Sequence, residues 1–268
     1  MLEVVRAAPA SLWVDAAGAT LRIDREDFDS DALGMQIGRV REIDPGPAAG
    51  AVAVLREGAA EARAAGFDQL IGSVPGDRIE EATDLGRAGF ELIDLQVAFE
   101  RPFHGPAVAP DDAGIRAAVE ADLERLDDEL SPHPWGSRFE RDPTYAPELV
   151  RELKRRWLRN SLHGRADLFV VSDAAGGPAG YLTGLLEGDR RGRIELVGTL
   201  PTHRRRGVAG RLVAHALAWF SQRTDAVTVR TQSSNREAIR LYTSAGFRFD
   251  ATELIFRMNL TRDGAGPA

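Results

Sequence analysis

The sequence has no cysteine, a single lysine (Lys154), and no hydrophobic run long enough to cross a membrane. Without cysteine there are no disulfides, thiolate nucleophiles, zinc fingers or iron–sulfur clusters. The histidines also lack the spacing of metal ligands, so we predict no metal site. Since the first residues lack the features of a signal peptide, we expect a cytoplasmic protein with no membrane partner.

The charge balance is acidic, with 34 basic and 41 acidic side chains and a net charge of −7. A negatively charged chain lacks the field of a general nucleic-acid binder, so we predict no nucleic-acid partner. One local basic patch can still hold an anion. The length of 268 residues fits two small domains.

A proline- and glycine-rich stretch at residues 101–112 separates two patterned halves and is predicted to be a linker. The pattern after it predicts the order β-α-α-β-β-β-α-β-α-β, in which the three consecutive strands form an antiparallel meander. The predicted elements are strand 115–119, helices 120–130 and 148–162, strands 168–172, 179–186 and 194–200, a helix from Val208, strand 227–231, helix 235–245, and a final strand or pair within 247–260.

The two halves match without a gap at an offset of 157 residues, which aligns Ala88-Gly89-Phe90 with Ala245-Gly246-Phe247. The residues that end helices and strands, and the predicted elements between them, agree along this alignment. This agreement indicates a diverged internal repeat. Chance identity is the alternative, because alanine and glycine are common here.

The segment from Thr199 to Gly210 is the most informative part of the sequence. A predicted strand runs into Pro201 and a basic loop, and Gly207 then precedes an amphipathic helix. Free N–H groups at a helix N-terminus attract anions, and arginines add charge-assisted hydrogen bonds. The segment therefore predicts a phosphate site, with a solvated charge run as the alternative. The candidate residues are Arg204, Arg205, Arg206, Gly207, Val208, Ala209 and Gly210.

This segment resembles the acyl-CoA pyrophosphate loop of the GNAT superfamily of N-acetyltransferases. A second stretch resembles the next motif of that family, and together they cover about residues 112–260. The resemblance implies an α/β (α+β) GNAT fold with a mixed central sheet flanked by helices. It also implies acetyl-CoA as cosubstrate and a small-molecule amine as acceptor. The matching residues are Pro201, Arg204, Gly207, Ala209 and Leu212, then Val229-Arg230-Thr231-Gln232, Asn235, Ala238, Leu241-Tyr242 and Gly246-Phe247.

The resemblance also implies roles for individual residues. The backbone N–H of Thr199 or Leu200 would lie at the thioester carbonyl. Ser234-Asn235-Arg236-Glu237 reads as a Ser-x-x-Glu capping box that predicts a helix start, and the resemblance adds a cofactor contact at Asn235. Tyr242 is the predicted general acid for the departing thiolate. Glu195 is a candidate base, with proton transfer through water as the alternative.

The acceptor side resembles the bacterial dTDP-fucosamine acetyltransferase group, which implies an amino sugar on a nucleotide sugar as the acceptor. Trp135, Arg138 and Phe139 suit stacking and diphosphate binding, or equally they anchor the loop. The alternatives are an aminoglycoside or another small amine as acceptor, or a non-catalytic acyl-CoA sensor. The assembly is expected to be a monomer or homodimer.

We predict a partial, degenerate GNAT-like domain at residues 1–104, a catalytic GNAT domain at 105–262 and a flexible tail at 263–268. In the repeat, Pro47, Arg78 and Leu85 stand opposite the residues that the resemblance assigns to the site: Arg204, Asn235 and Tyr242. The first domain is therefore predicted to be catalytically silent, and either to extend the sheet or to shape the acceptor cleft.

Overall fold

The structure is a computed structural model that describes residues 8–16, 18–44, 50–107, 114–130 and 137–260. Its strands are β1 (Ser11–Ala16), β2 (Ala19–Arg25), β3 (Ile37–Asp44), β4 (Gln69–Pro75), β5 (Glu91–Pro102), β6 (Ile115–Ala117), β7 (Leu168–Ala174), β8 (Gly177–Glu187), β9 (Arg191–Thr199), β10 (Ala226–Gln232) and β11 (Arg248–Asn259). Its helices are α1 (Asp27–Leu33), α2 (Gly50–Ala64), α3 (Ile79–Ala88), α4 (Glu120–Leu130), α5 (Arg138–Arg141), α6 (Pro147–Asn160), α7 (Val208–Ser221) and α8 (Arg236–Ser244).

The predicted order of elements after residue 112 is confirmed, with one addition. The short helix α5 lies inside the stretch that was predicted to be a loop, and it brings Phe139 into the core at 5% exposure. A single turn of helix carries too little periodicity to be found in a sequence.

The chain forms two compact units, and neither is a single stretch of sequence. The first contains residues 1–95, 141–153 and 252–268, and the second contains residues 96–140 and 154–251. The boundary predicted at 104/105 differs from this division. The reason is that β5 and β11 each begin in one unit and end in the other.

In the second unit the strands lie in the order β5-β10-β9-β8-β7-β6. The expected antiparallel meander of β7, β8 and β9 is present, and β10 runs parallel to β9 and antiparallel to β5. Successive side chains of β7 point to opposite faces of the sheet and pack in two separate cores. Leu168 and Val170 join the core under α7 and α8, whereas Phe169 and Val171 join the core under α4 and α6.

In the first unit the strands lie in the order β1-β2-β3-β4-β11. Strand β11 is antiparallel to β4, with Glu253 opposite Pro75 and Asn259 opposite Gln69. Phe256 of β11 lies in the core of this unit together with Leu70 and Leu85. The last strand of the sequence therefore completes the sheet of the first unit.

The bounds of the elements follow the sequence offset of 157 residues. Strand β4 at Gln69–Pro75 corresponds to β10 at Ala226–Gln232, and β5 at Glu91–Pro102 corresponds to β11 at Arg248–Asn259. The corresponding strands β5 and β11 have exchanged partners, since β5 pairs with β10 and β11 pairs with β4.

None of the helices in the described residues is long and apolar enough to span a membrane.

The placement of β11 predicts that Phe256→Ala destabilises the first unit. Phe256 is 5% exposed, and removing a buried phenyl group costs about 3–5 kcal/mol. Phe249 lies on the same strand at 63% exposure, so the control Phe249→Ala is expected to cost less than about 1 kcal/mol. Urea denaturation measures both free energies of unfolding. Hydrogen exchange that accelerates at 96–140 but not at 67–90 in Phe256→Ala would contradict the assignment of β11.

Candidate active site

The site is built around an opening between two parallel strands. Strands β9 and β10 are paired only from Arg191 opposite Ala226 to Ile194 opposite Val229, although β9 continues to Thr199 and β10 to Gln232. The backbone groups of the unpaired ends are released from the sheet ladder. An extended ligand can bind them as an added strand would.

Of the two backbone N–H groups predicted to serve as donors at this opening, that of Leu200 is already used within the sheet. The N–H of Leu200 donates to the carbonyl of Ala179 at 2.9 Å, and its side chain is fully buried. Leu200 is therefore a core residue and leaves no donor for a ligand. In an antiparallel pair the N–H groups of successive residues point in opposite directions. The N–H of Thr199 is thus directed away from β8, and Thr199 remains the candidate donor.

The arginine loop leads into the N-terminus of α7. Gly207 is the N-cap residue in the left-handed region, at φ 76°, where a residue with a Cβ is strained. Its lack of a side chain leaves the first N–H groups of α7 without a side-chain cap. Arg204, Arg205 and Arg206 are exposed around this helix end. Unsatisfied donors with positive charge around them form an anion site.

The residues present fit an acyl-CoA pyrophosphate. A Cβ at Gly210 would meet no atom within 4 Å, and at Gly207 the nearest atom would be Arg211 Nη1 at 3.6 Å. There is room at the helix end for a ligand to approach the backbone. The described residues contain no group of side chains that could hold a metal ion.

Asn235 begins helix α8, and the predicted Ser-x-x-Glu capping box at 234–237 is wrong. The observed N-cap is Asn235, whose Oδ1 accepts from the N–H of Ala238 at 3.1 Å. The helix begins one residue later than the box requires, because the Asn235 side chain takes the capping position itself. Its amide still has a donor group to offer to a ligand.

Tyr242 lies on α8 with its side chain 5% exposed. The centroid of its ring is 6.4 Å from that of Phe99 and 5.7 Å from that of Phe247. Burial raises the pKa of the Tyr242 hydroxyl above its ordinary value, because an apolar environment disfavours the phenolate. The hydroxyl therefore stays protonated at physiological pH, which is the form that a general acid needs.

A second tyrosine, which sequence reasoning missed, approaches from the opposite face of the sheet. The ring of Tyr181 on β8 covers Gly198 on β9, where a Cβ would overlap it. Burial first, and repulsion from Tyr242 second, raise the pKa of the Tyr181 hydroxyl. A glycine inside a strand was the available signal for this close contact.

Glu195 lies at a β-bulge. Leu196 is opposite Thr183 and Ile194 is opposite Gly184, so no residue of β8 stands directly opposite Glu195. The extra residue breaks the alternation that would have placed Glu195 on the same face as Val197 and Thr199. The carboxylate accepts a hydrogen bond from Arg165 and lies 3.9 Å from Arg193 Nη2. Its role as a base remains a prediction.

On the predicted acceptor side, Phe139 is packed rather than open. Its ring meets Trp157 edge-on at a centroid distance of 5.7 Å, and the Arg138 guanidinium lies 4.3 Å from its centroid. These contacts favour the loop-anchoring alternative for Phe139. Arg138 is half-buried and remains a candidate. Trp135 lies outside the described residues.

A groove between α7 and α8, also missed from the sequence, begins beside the arginine loop. Its volume is about 520 Å³. Small residues line it, which is why it is open. They include Gly210 and Ala214 of α7, and Ser244, Ala245 and Gly246 at the end of α8.

Residues 126–247 match the model of the acetyltransferase (GNAT) family. The match covers a little less than half of the chain, and the mixed sheet described above is the GNAT fold.

Among individual proteins, the chain is 34% identical to the spore coat polysaccharide biosynthesis protein SpsD of Bacillus subtilis over 112 residues. The match covers 41% of this chain and 38% of that relative. A GCN5-related N-acetyltransferase from Sphaerobacter thermophilus has a similar structure, with a TM-score of 0.61 at 17% identity over 91% of this chain and 77% of that one. A tandem GNAT protein from the clavulanic acid biosynthesis pathway is also similar in structure, with a TM-score of 0.57 at 15% identity. That match covers 96% of this chain and 86% of the other.

The arginine loop predicts that Arg204→Ala and Arg206→Ala weaken acetyl-CoA binding. Losing a hydrogen bond to a charged group is expected to raise Kd by about 10- to 100-fold at low salt. The effect should shrink as salt screens the exposed charges. Isothermal titration at two ionic strengths measures this. Arg87→Ala removes an exposed arginine from α3 as a control. A Kd that does not change in the loop variants would remove these arginines from the site.

Proposed function

We propose that the protein transfers an acetyl group from acetyl-CoA to the primary amine of a small molecule by direct attack. The observation that carries this proposal is the opening between β9 and β10, which releases backbone groups for an acyl-CoA arm. Thr199 would supply a backbone donor there, and the buried Tyr242 on α8 would supply the acid. The match to the GNAT acetyltransferase family model supports the same reaction.

Acetyl-CoA would be held at two places. The uncapped N–H groups of α7 and the arginines before it would bind the pyrophosphate. The unpaired backbone of β9 and β10 would pair with the amides of the pantetheine arm. These contacts would orient the thioester.

The proposed chemistry needs one donor and one acid from the chain. The amine nitrogen attacks the thioester carbonyl carbon, and the N–H of Thr199 stabilises the charge that develops on the carbonyl oxygen. The carbon–sulfur bond then breaks, and the departing thiolate takes a proton from Tyr242. The nitrogen loses its own proton to Glu195 or to water.

An amino sugar on a nucleotide sugar is the proposed acceptor. The B. subtilis relative is named as a spore coat polysaccharide biosynthesis protein, which fits a sugar substrate. The planar guanidinium of Arg138 suits a diphosphate, and Arg138 lies in the stretch between β6 and β7 that we assign to the acceptor side.

Tyr242→Phe tests the acid. It removes only the hydroxyl, so kcat is expected to fall by about 10²- to 10⁴-fold, with the Kd for acetyl-CoA changed by less than about twofold. Steady-state assays of CoA release and isothermal titration measure the two quantities, and the melting temperature is the control for folding. Turnover that does not change would exclude Tyr242 from the mechanism.

A panel of amines tests the acceptor class, with CoA release as the readout. It contains UDP- and dTDP-linked amino sugars, free glucosamine, an aminoglycoside and a simple alkylamine. The highest kcat/KM is expected for a nucleotide-linked amino sugar. Turnover with the aminoglycoside alone would replace the proposed acceptor. Acetyl-CoA binding without turnover on any amine would indicate a sensor instead of an enzyme.

A further inference from the structure

The segment that follows Arg138 and Phe139 belongs to the first unit. Residues 141–153 are part of that unit, although they lie inside the range that matches the acetyltransferase family model. They continue directly from the proposed acceptor-side residues. The chain therefore connects the proposed acceptor-side residues directly to a segment that belongs to the first unit.

Arg257 on β11 binds the beginning of the segment. Its Nη1 donates to Asp142 and, at 3.0 Å, to Thr144 Oγ1, while its Nη2 donates to Glu91 at 2.6 Å. The side chain of Asp142 is 1% exposed. Removing the guanidinium would leave this buried carboxylate without a counter-charge, so the ion pair between Arg257 and Asp142 is costly to break.

Gln69 on β4 binds the next part of the segment. Tyr145 donates from its hydroxyl to Gln69 Oε1, and Gln69 Nε2 donates to Asn259 Oδ1 at 2.9 Å. Asn259 Nδ2 in turn donates to Thr144 Oγ1 at 3.3 Å. Gln69 is fully buried. We call Gln69, Arg257 and Asn259 the clamp.

The clamp acts on a turn that Asp142 also organises locally. The N–H of Thr144 donates to Asp142 Oδ1 at 2.9 Å, and the N–H of Tyr145 donates to the Asp142 carbonyl at 3.2 Å. One carboxylate therefore fixes both the turn and its attachment to β11. Just before it, Arg141 Nη1 lies 4.0 Å from the buried Asp94.

The repeat shows that the clamp is not simply part of the shared fold. At the offset of 157 residues, Ala226, Glu100 and Pro102 stand opposite the clamp residues Gln69, Arg257 and Asn259. Gln69 lies in the half that lacks counterparts of Arg204, Asn235 and Tyr242, whereas Arg257 and Asn259 lie in the other half and belong to the first unit through β11. These three side chains bind the segment.

We propose that the first unit serves the reaction by positioning the acceptor-binding segment, and that Gln69 and Arg257 are positioning residues for the amine acceptor. This inference rests on the proposed function. It explains why a half without the cofactor-binding residues is retained beside the acetyltransferase domain.

Kinetics on conservative variants test the inference, with the panel amine of highest kcat/KM as the probe. Tyr145→Phe removes one hydroxyl, and Arg257→Gln removes the charge from the clamp. Both are expected to raise KM for the amine about 5- to 20-fold, the loss expected for a broken hydrogen bond. The Kd for acetyl-CoA is expected to stay within about twofold. Hydrogen exchange at 138–146 should become faster.

The control is Arg39→Gln, which breaks the 2.6 Å ion pair with Glu26 in the same unit but away from the segment. It should leave KM for the amine unchanged. An equal rise of KM in Arg39→Gln, or an unchanged KM in Tyr145→Phe and Arg257→Gln, would overturn the inference while the proposed function stands. A wild-type protein that acetylates no amine in the panel would overturn both.

Discussion

The candidate site depends on one interruption of hydrogen bonding, the end of the pairing between β9 and β10 after Ile194 and Val229. If the two strands stayed paired beyond these residues, their facing backbone groups would be used within the sheet, and a ligand could not pair with them. The helices α7 and α8 follow these strands directly, so their N-termini lie at the carboxyl ends of β9 and β10.

The second unit was predictable because its signals are local. The apolar stripe of α7 and the apolar run of β7 each depend on neighbours within a few residues, and the structure confirms both elements. The arginine loop was predictable for the same reason, since Gly207 and the helix after it are adjacent in sequence. Family resemblance then added what spacing alone cannot show, namely which anion the loop is expected to bind.

The remaining features depend on contacts between distant residues. The burial of Phe139 needs Trp157, and the loss of Leu200 as a donor needs Ala179 on another strand. The bulge at Glu195 needs the register against β8. The periodicity of apolar residues within one element does not show which distant residues it will contact. The division into discontinuous units was missed for the same reason, because the repeat alignment shows that β5 and β11 correspond but not which partners they choose.

The exchange of β5 and β11 has a consequence for synthesis on the ribosome. Gln69 and Asn259 are hydrogen-bonded across 190 residues of sequence, so the sheet of the first unit lacks its β11 strand until almost the whole described chain has been translated. Contacts of such long separation form slowly. During translation the apolar edge that Phe256 later covers is exposed, and the nascent chain is then most in need of chaperones.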